Sequence, residues 1–235
     1  MDSRRIRVVL IDADNTLFDF DKAQRESLLE TIEVSEKSEE ADAAFSAFKE
    51  INDAAWREHE EGTLSRERLR TERFRRFREI RTFRRSDAEA SDFFLETLSR
   101  KGELFTGVRE TLAELKRKGL RLGLATNGFT RVQRGRIEAA DLARHFDGIF
   151  ISEEMGTKKP DAAFFAACLE ALDASPQSTL MAGDSPAADV AGAKGAGISC
   201  AWINRHGLPY PPELPSPDME LRSINELPRA LGIAL

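Results

Sequence analysis

The sequence predicts an α/β protein: a doubly wound, Rossmann-like parallel sheet whose first strand is separated from the others by an all-helical insertion. Three observations carry this. The run Val8-Val9-Leu10-Ile11 has no polar member, as a strand covered by helices on both faces reads. From residue 107 to about 203, short apolar runs alternate with helical patterns, the signature of parallel strands joined by right-handed crossovers. Between Leu17 and Gly102 there is neither strand-like alternation nor a tight-hairpin signal, only helical spacing. The chain therefore divides into a core, residues 1–17 and 104–235, and a helical domain, residues 18–103.

Each element follows from its own residues. After the opening strand, helices are expected from Lys22 to about Val34 and from Glu39 to about Glu61, where Phe45, Phe48, Ile51 and Ala55 form one apolar stripe. Gly62 interrupts the pattern, and Ser65 is a good N-cap for a helix bearing Leu69, Phe74, Phe77 and Ile80. Asp87 starts another, with Phe94, Leu95 and Leu98, ending near Gly102. A helix from Val108 to Lys118 is closed by Gly119. Then come a strand at Leu120–Ala125, a helix at Val132–Ala140 and a strand at Gly148–Ser152. They are followed by a helix at Asp161–Ala171, a strand at Thr179–Ala182, a small-residue helix at Ala187–Lys194 and a strand at Ile198–Ile203. The segment Pro209–Pro217 reads as proline-rich loop, and Ile224–Leu235 as a last helix.

Composition narrows the function classes. With 235 residues, 41% of them apolar, there is material for a real core, and a net charge of −6 argues against nucleic acid polymers and anionic membranes as partners. The arginines between Arg66 and Arg85 alternate with Glu67, Glu72 and Glu79, which is the pattern of a solvated helix face. Cys168 and Cys200 fit no metal or redox spacing, and His59, His145 and His206 make no zinc motif. The charged start, Met1-Asp2-Ser3-Arg4-Arg5, precedes an apolar run too short for a signal sequence, and no stretch approaches a membrane span. A cytoplasmic protein, monomeric or homodimeric, is the expectation.

Four polar clusters each follow a predicted strand or sit where a loop meets a helix. They are Asp12/Asp14/Thr16, Thr126/Asn127, Lys158-Lys159-Pro160, and Gly183-Asp184 through Asp189. An EF-hand beginning at Asp12 is excluded, because Leu17 and Ala23 stand where Gly and Glu are required. In a doubly wound sheet the carboxyl ends of the strands share one edge, so the clusters should meet in one crevice. Asp12, Asp14, Asp184 and Asp189 would repel one another without a compensating cation. An oxygen-only donor set without His or Cys points to Mg²⁺. Such a pocket suits phosphoryl transfer: an ionised carboxylate attacks phosphorus, and a protonated one supplies and later retrieves a proton. Lys159 and Mg²⁺ would neutralise charge, and the Thr126 hydroxyl with its neighbouring backbone N–H groups would hold the phosphoryl oxygens.

These motifs make the chain similar to the haloacid dehalogenase (HAD) superfamily, in the branch with a helical cap inserted after the first strand. Asp12-Ala13-Asp14-Asn15-Thr16 resembles the D-x-D-x-T motif, with Asn15 where Gly is more usual. Thr126, Lys159 and the pair Asp184/Asp189 match the remaining motifs. The resemblance implies that Asp12 is the nucleophile and Asp14 the general acid/base. It implies Mg²⁺ held by Asp12, the Asp14 backbone carbonyl and Asp184, with Asp189 in support. Dehalogenases of this superfamily lack an acid two positions after the nucleophile, so Asp14 favours a phosphatase.

The stretches Ile151–Gly156 and Cys200–Gly207 resemble the pyrimidine nucleoside 5′-monophosphatase subgroup, which makes a small phosphorylated metabolite, a nucleotide, the expected substrate. Thr16, Asn127, Phe18 and Phe20 are the candidate substrate contacts, although Phe18 and Phe20 also suit packing. The alternatives are a phosphatase for small phosphorylated acids or sugars (phosphoglycolate-like), a β-phosphoglucomutase-like transferase and a 2-haloacid dehalogenase. From another class comes a receiver-like regulator, against which the helical insertion argues.

Overall fold

The computed structural model describes residues 6–233. The five N-terminal residues and the end of the expected last helix lie outside the described residues. Packing separates the chain into two compact units: the residues up to Asp19 with those from Gly102 onward, and Phe20–Lys101.

The unit Phe20–Lys101 consists of α1 (Phe20–Ile32), α2 (Glu40–Glu60), α3 (Arg66–Arg78) and α4 (Asp87–Ser99) with their connections. Ser65 caps α3 by accepting from the Arg68 N–H, and Ser86 forms a reciprocal capping box with Glu89 at the start of α4. The stripe positions Phe48, Phe74, Phe77 and Phe94 meet in the middle, with the Phe48 ring centroid 5.1 to 5.4 Å from the other three. Such aromatic pairs add to the burial of the rings themselves. Arg73 is buried beside them and donates to Asn52 Oδ1 at 3.0 Å. The other α3 arginines bear out the alternating-charge reading: Arg75 pairs with Glu72 and Glu79, and Arg76 with Glu58 and Glu72. Ile80 departs from expectation. Helical spacing puts it on the apolar stripe, but α3 ends at Arg78, two residues earlier, and Ile80 is left 62% exposed.

The other unit is built on one parallel sheet. Its strands are β1 (Val8–Ile11), β2 (Arg121–Thr126), β3 (Gly148–Ile151), β4 (Thr179–Gly183), β5 (Ser199–Ile203) and β6 (Met219–Leu221), in the order β3-β2-β1-β4-β5-β6. The helices are α5 (Val108–Arg117), α6 (Thr130–Ala139), α7 (Ser152–Met155), α8 (Ala162–Ala171), α9 (Gly192–Gly195) and α10 (Leu227–Ala230). Side chains alternate across the sheet. Val9 and Ile11 join an apolar cluster with Leu112 and Leu115 of α5; Val8 and Leu10 join a second one with Phe164 and Phe165 of α8. Burial on both faces is why β1 carries no polar residue.

Three details were not expected. Ser152 begins α7 rather than ending β3. The segment expected as one helix from Ala187 is helical, but its first part, Pro186–Ala191, is wound as a π-helix (the π-turn) that runs into α9. β6 adds a short edge strand whose middle residue, Glu220, is exposed. Among the described residues no helix is long and apolar enough to cross a membrane.

The strand order reverses direction at β1 and β4, and in such sheets ligands bind beyond the carboxyl ends at that switch point. Register places Ile11 level with Leu124 of β2 and Ala182 of β4. Asp12, the next residue, therefore emerges between the ends of β2 and β4, its N–H donating to Ala182 O at 2.9 Å.

Candidate active site

Asp12, Asp184 and Asp189 meet at this edge. One carboxylate oxygen from each lies within 4.8 Å of the other two. β1 delivers Asp12 and β4 delivers Asp184, while Asp189 comes from the π-turn. Gly183 allows that approach: a Cβ there would sit 2.1 Å from Asp189 Oδ2. The Asp189 carboxylate is fixed at both oxygens, Oδ2 by the Ser185 N–H at 3.0 Å and Oδ1 by Lys159 Nζ at 2.6 Å.

Lys159 is the cation of the cluster and is only 2% exposed. Its Nζ donates to Asp12 Oδ1 at 2.7 Å, Asp189 Oδ1 at 2.6 Å and the Ala125 carbonyl at 2.8 Å, which uses all three protons. Burial alone would lower its pKa, but Asp12 and Asp189 outweigh that and hold the ammonium above its ordinary value. Burial pushes the Asp12 carboxyl up to about 7, Asp189 and Asp14 adding to the effect and Lys159 opposing it. Asp184 is raised as well, first by burial and then by Asp12 and Asp189. Three acids thus face one ammonium, and burial, reinforced by the neighbouring carboxylates, raises two of them above the usual carboxyl range. The residues fit a hard divalent cation: all donors are carboxylate oxygens, and the cluster lacks positive charge.

Thr126 ends β2 on the same rim, its Oγ1 accepting from the Gly128 N–H at 3.3 Å. Asp14 stands apart from the trio. Its Oδ2 accepts from Gln133 Nε2 at 2.8 Å, and its Oδ1 pairs with Arg136. The Asp14 side chain is therefore not among the clustered carboxylates, which leaves its backbone carbonyl as the group it could offer a metal. Asn15 adopts φ of +56°, a left-handed conformation that Gly and Asn tolerate best, which explains the exchange between them in this motif.

The expected substrate contacts are placed otherwise. Phe18 is 0% exposed and belongs to the sheet's apolar cluster, with the Arg136 guanidinium 4.3 Å from its ring centroid. It has no surface to offer a ligand. Asn127 spends both ends of its amide on the Lys159 backbone, donating to the carbonyl at 2.8 Å and accepting from the N–H at 2.9 Å. It thereby ties down the Lys159 backbone. Thr16 is fully buried in the turn after β1. Phe20 is the first residue of α1 and belongs to the helical unit. Sequence reasoning missed Gln133 and Arg136. The only signal was two polar residues three apart on a helix, both on the face that turns inward.

Comparison with known proteins places this arrangement. The chain belongs to the haloacid dehalogenase-like hydrolases, whose family model matches residues 6–197, and it is accordingly an enzyme of the hydrolase class. Pyrimidine 5′-nucleotidase PynA of Streptococcus pneumoniae is 32% identical over 208 residues, 86% of this chain and 85% of that protein. The human N-acylneuraminate-9-phosphatase is 30% identical over 235 residues, covering 97% of this chain and 94% of that one. Among solved structures, the HAD-hydrolase YfnB of Bacillus subtilis bound to magnesium superposes with a TM-score of 0.87 at 29% identity, over 97% of this chain and 100% of that one.

Proposed function

We propose that the protein is a Mg²⁺-dependent phosphomonoesterase that works through an aspartyl-phosphate on Asp12 and acts on nucleoside 5′-monophosphates, pyrimidine ones preferred. The observation that carries this reading is the cluster of Asp12, Asp184 and Asp189, of which buried Asp12 and Asp189 both bind Lys159, with a fourth carboxylate, Asp14, held separately two residues after the first. An in-line attack needs a nucleophile beside a charge-neutralising group and a proton source that is a different residue.

In this scheme an Asp12 carboxylate oxygen attacks phosphorus. The bond from phosphorus to the ester oxygen breaks, and Asp14 gives that oxygen its proton, releasing the alcohol. Asp14, now ionised, takes a proton from water as the water oxygen attacks the same phosphorus. The bond to Asp12 breaks, inorganic phosphate leaves and both carboxyl groups return to their starting states. The Thr126 hydroxyl holds a phosphoryl oxygen during both attacks, and Lys159 turns the N–H it gives Asp12 to a phosphoryl oxygen once that carboxylate is bonded to phosphorus. Asp12, Asp184 and the Asp14 carbonyl would hold Mg²⁺ with Asp189 in support, and the ion supplies neutralisation of the phosphoryl charge. Asp14 distinguishes the reaction from dehalogenation, since a departing halide needs no proton. The helical unit, predicted as residues 18–103, is proposed as the source of substrate discrimination.

Support for the nucleotide comes from the likeness to PynA and from the two subgroup-like stretches; the likeness to the neuraminate phosphatase supports a second reading, a sugar-acid phosphate. A panel of phosphate esters with Mg²⁺ separates them. The expected result is a kcat/KM for pyrimidine nucleoside 5′-monophosphates at least about tenfold above those for purine nucleotides, a 9-phosphorylated sugar acid and small phospho-acids, a difference of about 1.4 kcal/mol in transition-state binding. A flat profile would sink the nucleotide assignment. No phosphate release from any ester would sink the phosphatase.

A further inference from the structure

Asp14 is the only one of the four site carboxylates held by side chains of a helix. Gln133 and Arg136 lie three residues apart on α6 and so project from one face of it. Gln133 donates to Asp14 Oδ2 at 2.8 Å, and Arg136 pairs with the other oxygen. Each anchor is itself fixed. A Cβ at Gly128 would lie 2.2 Å from Gln133 Nε2 and 2.6 Å from its Cγ, so the amide occupies space that only glycine leaves open. Arg136 is 0% exposed and lies over the Phe18 ring, which removes the freedom a long side chain usually keeps. The Asp14 side chain is 28% exposed, enough for an unheld carboxylate to sample several rotamers. Burying a guanidinium completely is costly unless its partner is fixed too. The arrangement has the form of a carboxylate pinned at both oxygens.

We infer that Gln133 and Arg136 are positioning residues for Asp14, setting the orientation from which its carboxyl serves the departing ester oxygen. This rests on the proposed role of Asp14. It explains why a helix otherwise committed to packing carries two inward polar side chains. It also gives Phe18 a function it lacked as a substrate contact, as the platform under Arg136.

The test uses the full chain with Mg²⁺ and two esters. A nucleoside 5′-monophosphate has a poor alkoxide leaving group that needs a proton, whereas p-nitrophenyl phosphate releases an acidic phenol that does not. Gln133→Met and Arg136→Met should each lower kcat/KM for the nucleotide by about 10²-fold, as expected for a displaced catalytic group, and for the aryl ester by less than about threefold. Arg136→Lys, which keeps the charge but not the planar fork, should recover part of the loss. In an Asp14→Asn background the same substitutions should cost nothing further, because the group they orient is gone. Parallel losses on both esters, or losses that multiply with Asp14→Asn, would overturn the inference in favour of a packing role. If Arg136→Met shows no cooperative melting, Gln133→Met carries the comparison alone. A wild-type protein that cleaves neither ester would instead defeat the phosphatase reading, and the inference with it.

Discussion

Two regions of this molecule are rich in opposite charges and use them differently. Along α3 of the helical unit, Arg75 and Arg76 reach Glu58, Glu72 and Glu79; Glu72 is largely covered, but water reaches the other groups of the set. At the carboxyl edge of the sheet, Lys159 reaches Asp12 and Asp189 almost without solvent. The distances are similar, near 2.6 to 3.0 Å in both places. What differs is the dielectric around them and the balance of sign. The solvated set sets two guanidinium groups against three carboxylates, whereas the sheet-edge set, counting Asp184, has one ammonium for three, a larger deficit in a medium that screens it less. Distance alone does not reveal a site; burial with an unbalanced sum does.

The comparison can be pressed from the buried side first. Asp12→Asn removes the proposed nucleophile and should reduce phosphate release by about 10⁴-fold or more, measured on whichever ester the panel selects. Turnover close to wild type would mean that another group attacks phosphorus. Next, Lys159→Met leaves Asp12, Asp184 and Asp189 facing one another with no ammonium. Breaking such a buried set should cost about 3–5 kcal/mol in urea denaturation without metal. An unchanged midpoint would show that the acids neutralise themselves by binding protons at little cost.

Removing Mg²⁺ with a chelator is a milder form of the same challenge. Activity should vanish, and restoring the ion at about 100 times its dissociation constant should raise stability by about 2.7 kcal/mol. A melting temperature indifferent to Mg²⁺ would argue against a metal among these carboxylates. From the surface side, Arg75→Gln should leave both the melting temperature and kcat/KM within experimental error, and a marked loss in either would erase the distinction between the regions.

The sequence announced the sheet through its unbroken apolar runs and the site through polar residues placed directly after them. Both signals are local: two-sided burial forbids polar residues in β1, and the switch point gathers whatever follows β1 and β4. Features that depend on contacts between distant segments were illegible. Phe18 suits packing as well as substrate contact by its position in the sequence, and only the fold shows Arg136 lying over it. Asn127 looked like a ligand contact because the segment that occupies it begins 32 residues later. β6 went unread because three residues with a charged centre carry no periodicity. The π winding could not be told from an α-helix by spacing, yet it carries Asp189 toward Lys159.

Gly183 carries no functional group, yet a single added methyl at that position would act as a wedge. It would press on Asp189, and through Asp189 on the ammonium that neutralises Asp12. The reach of the proposed chemistry into the chain thus extends to a residue defined only by the room it leaves. A substitution there should resemble damage to a catalytic side chain, although every charge would still be present.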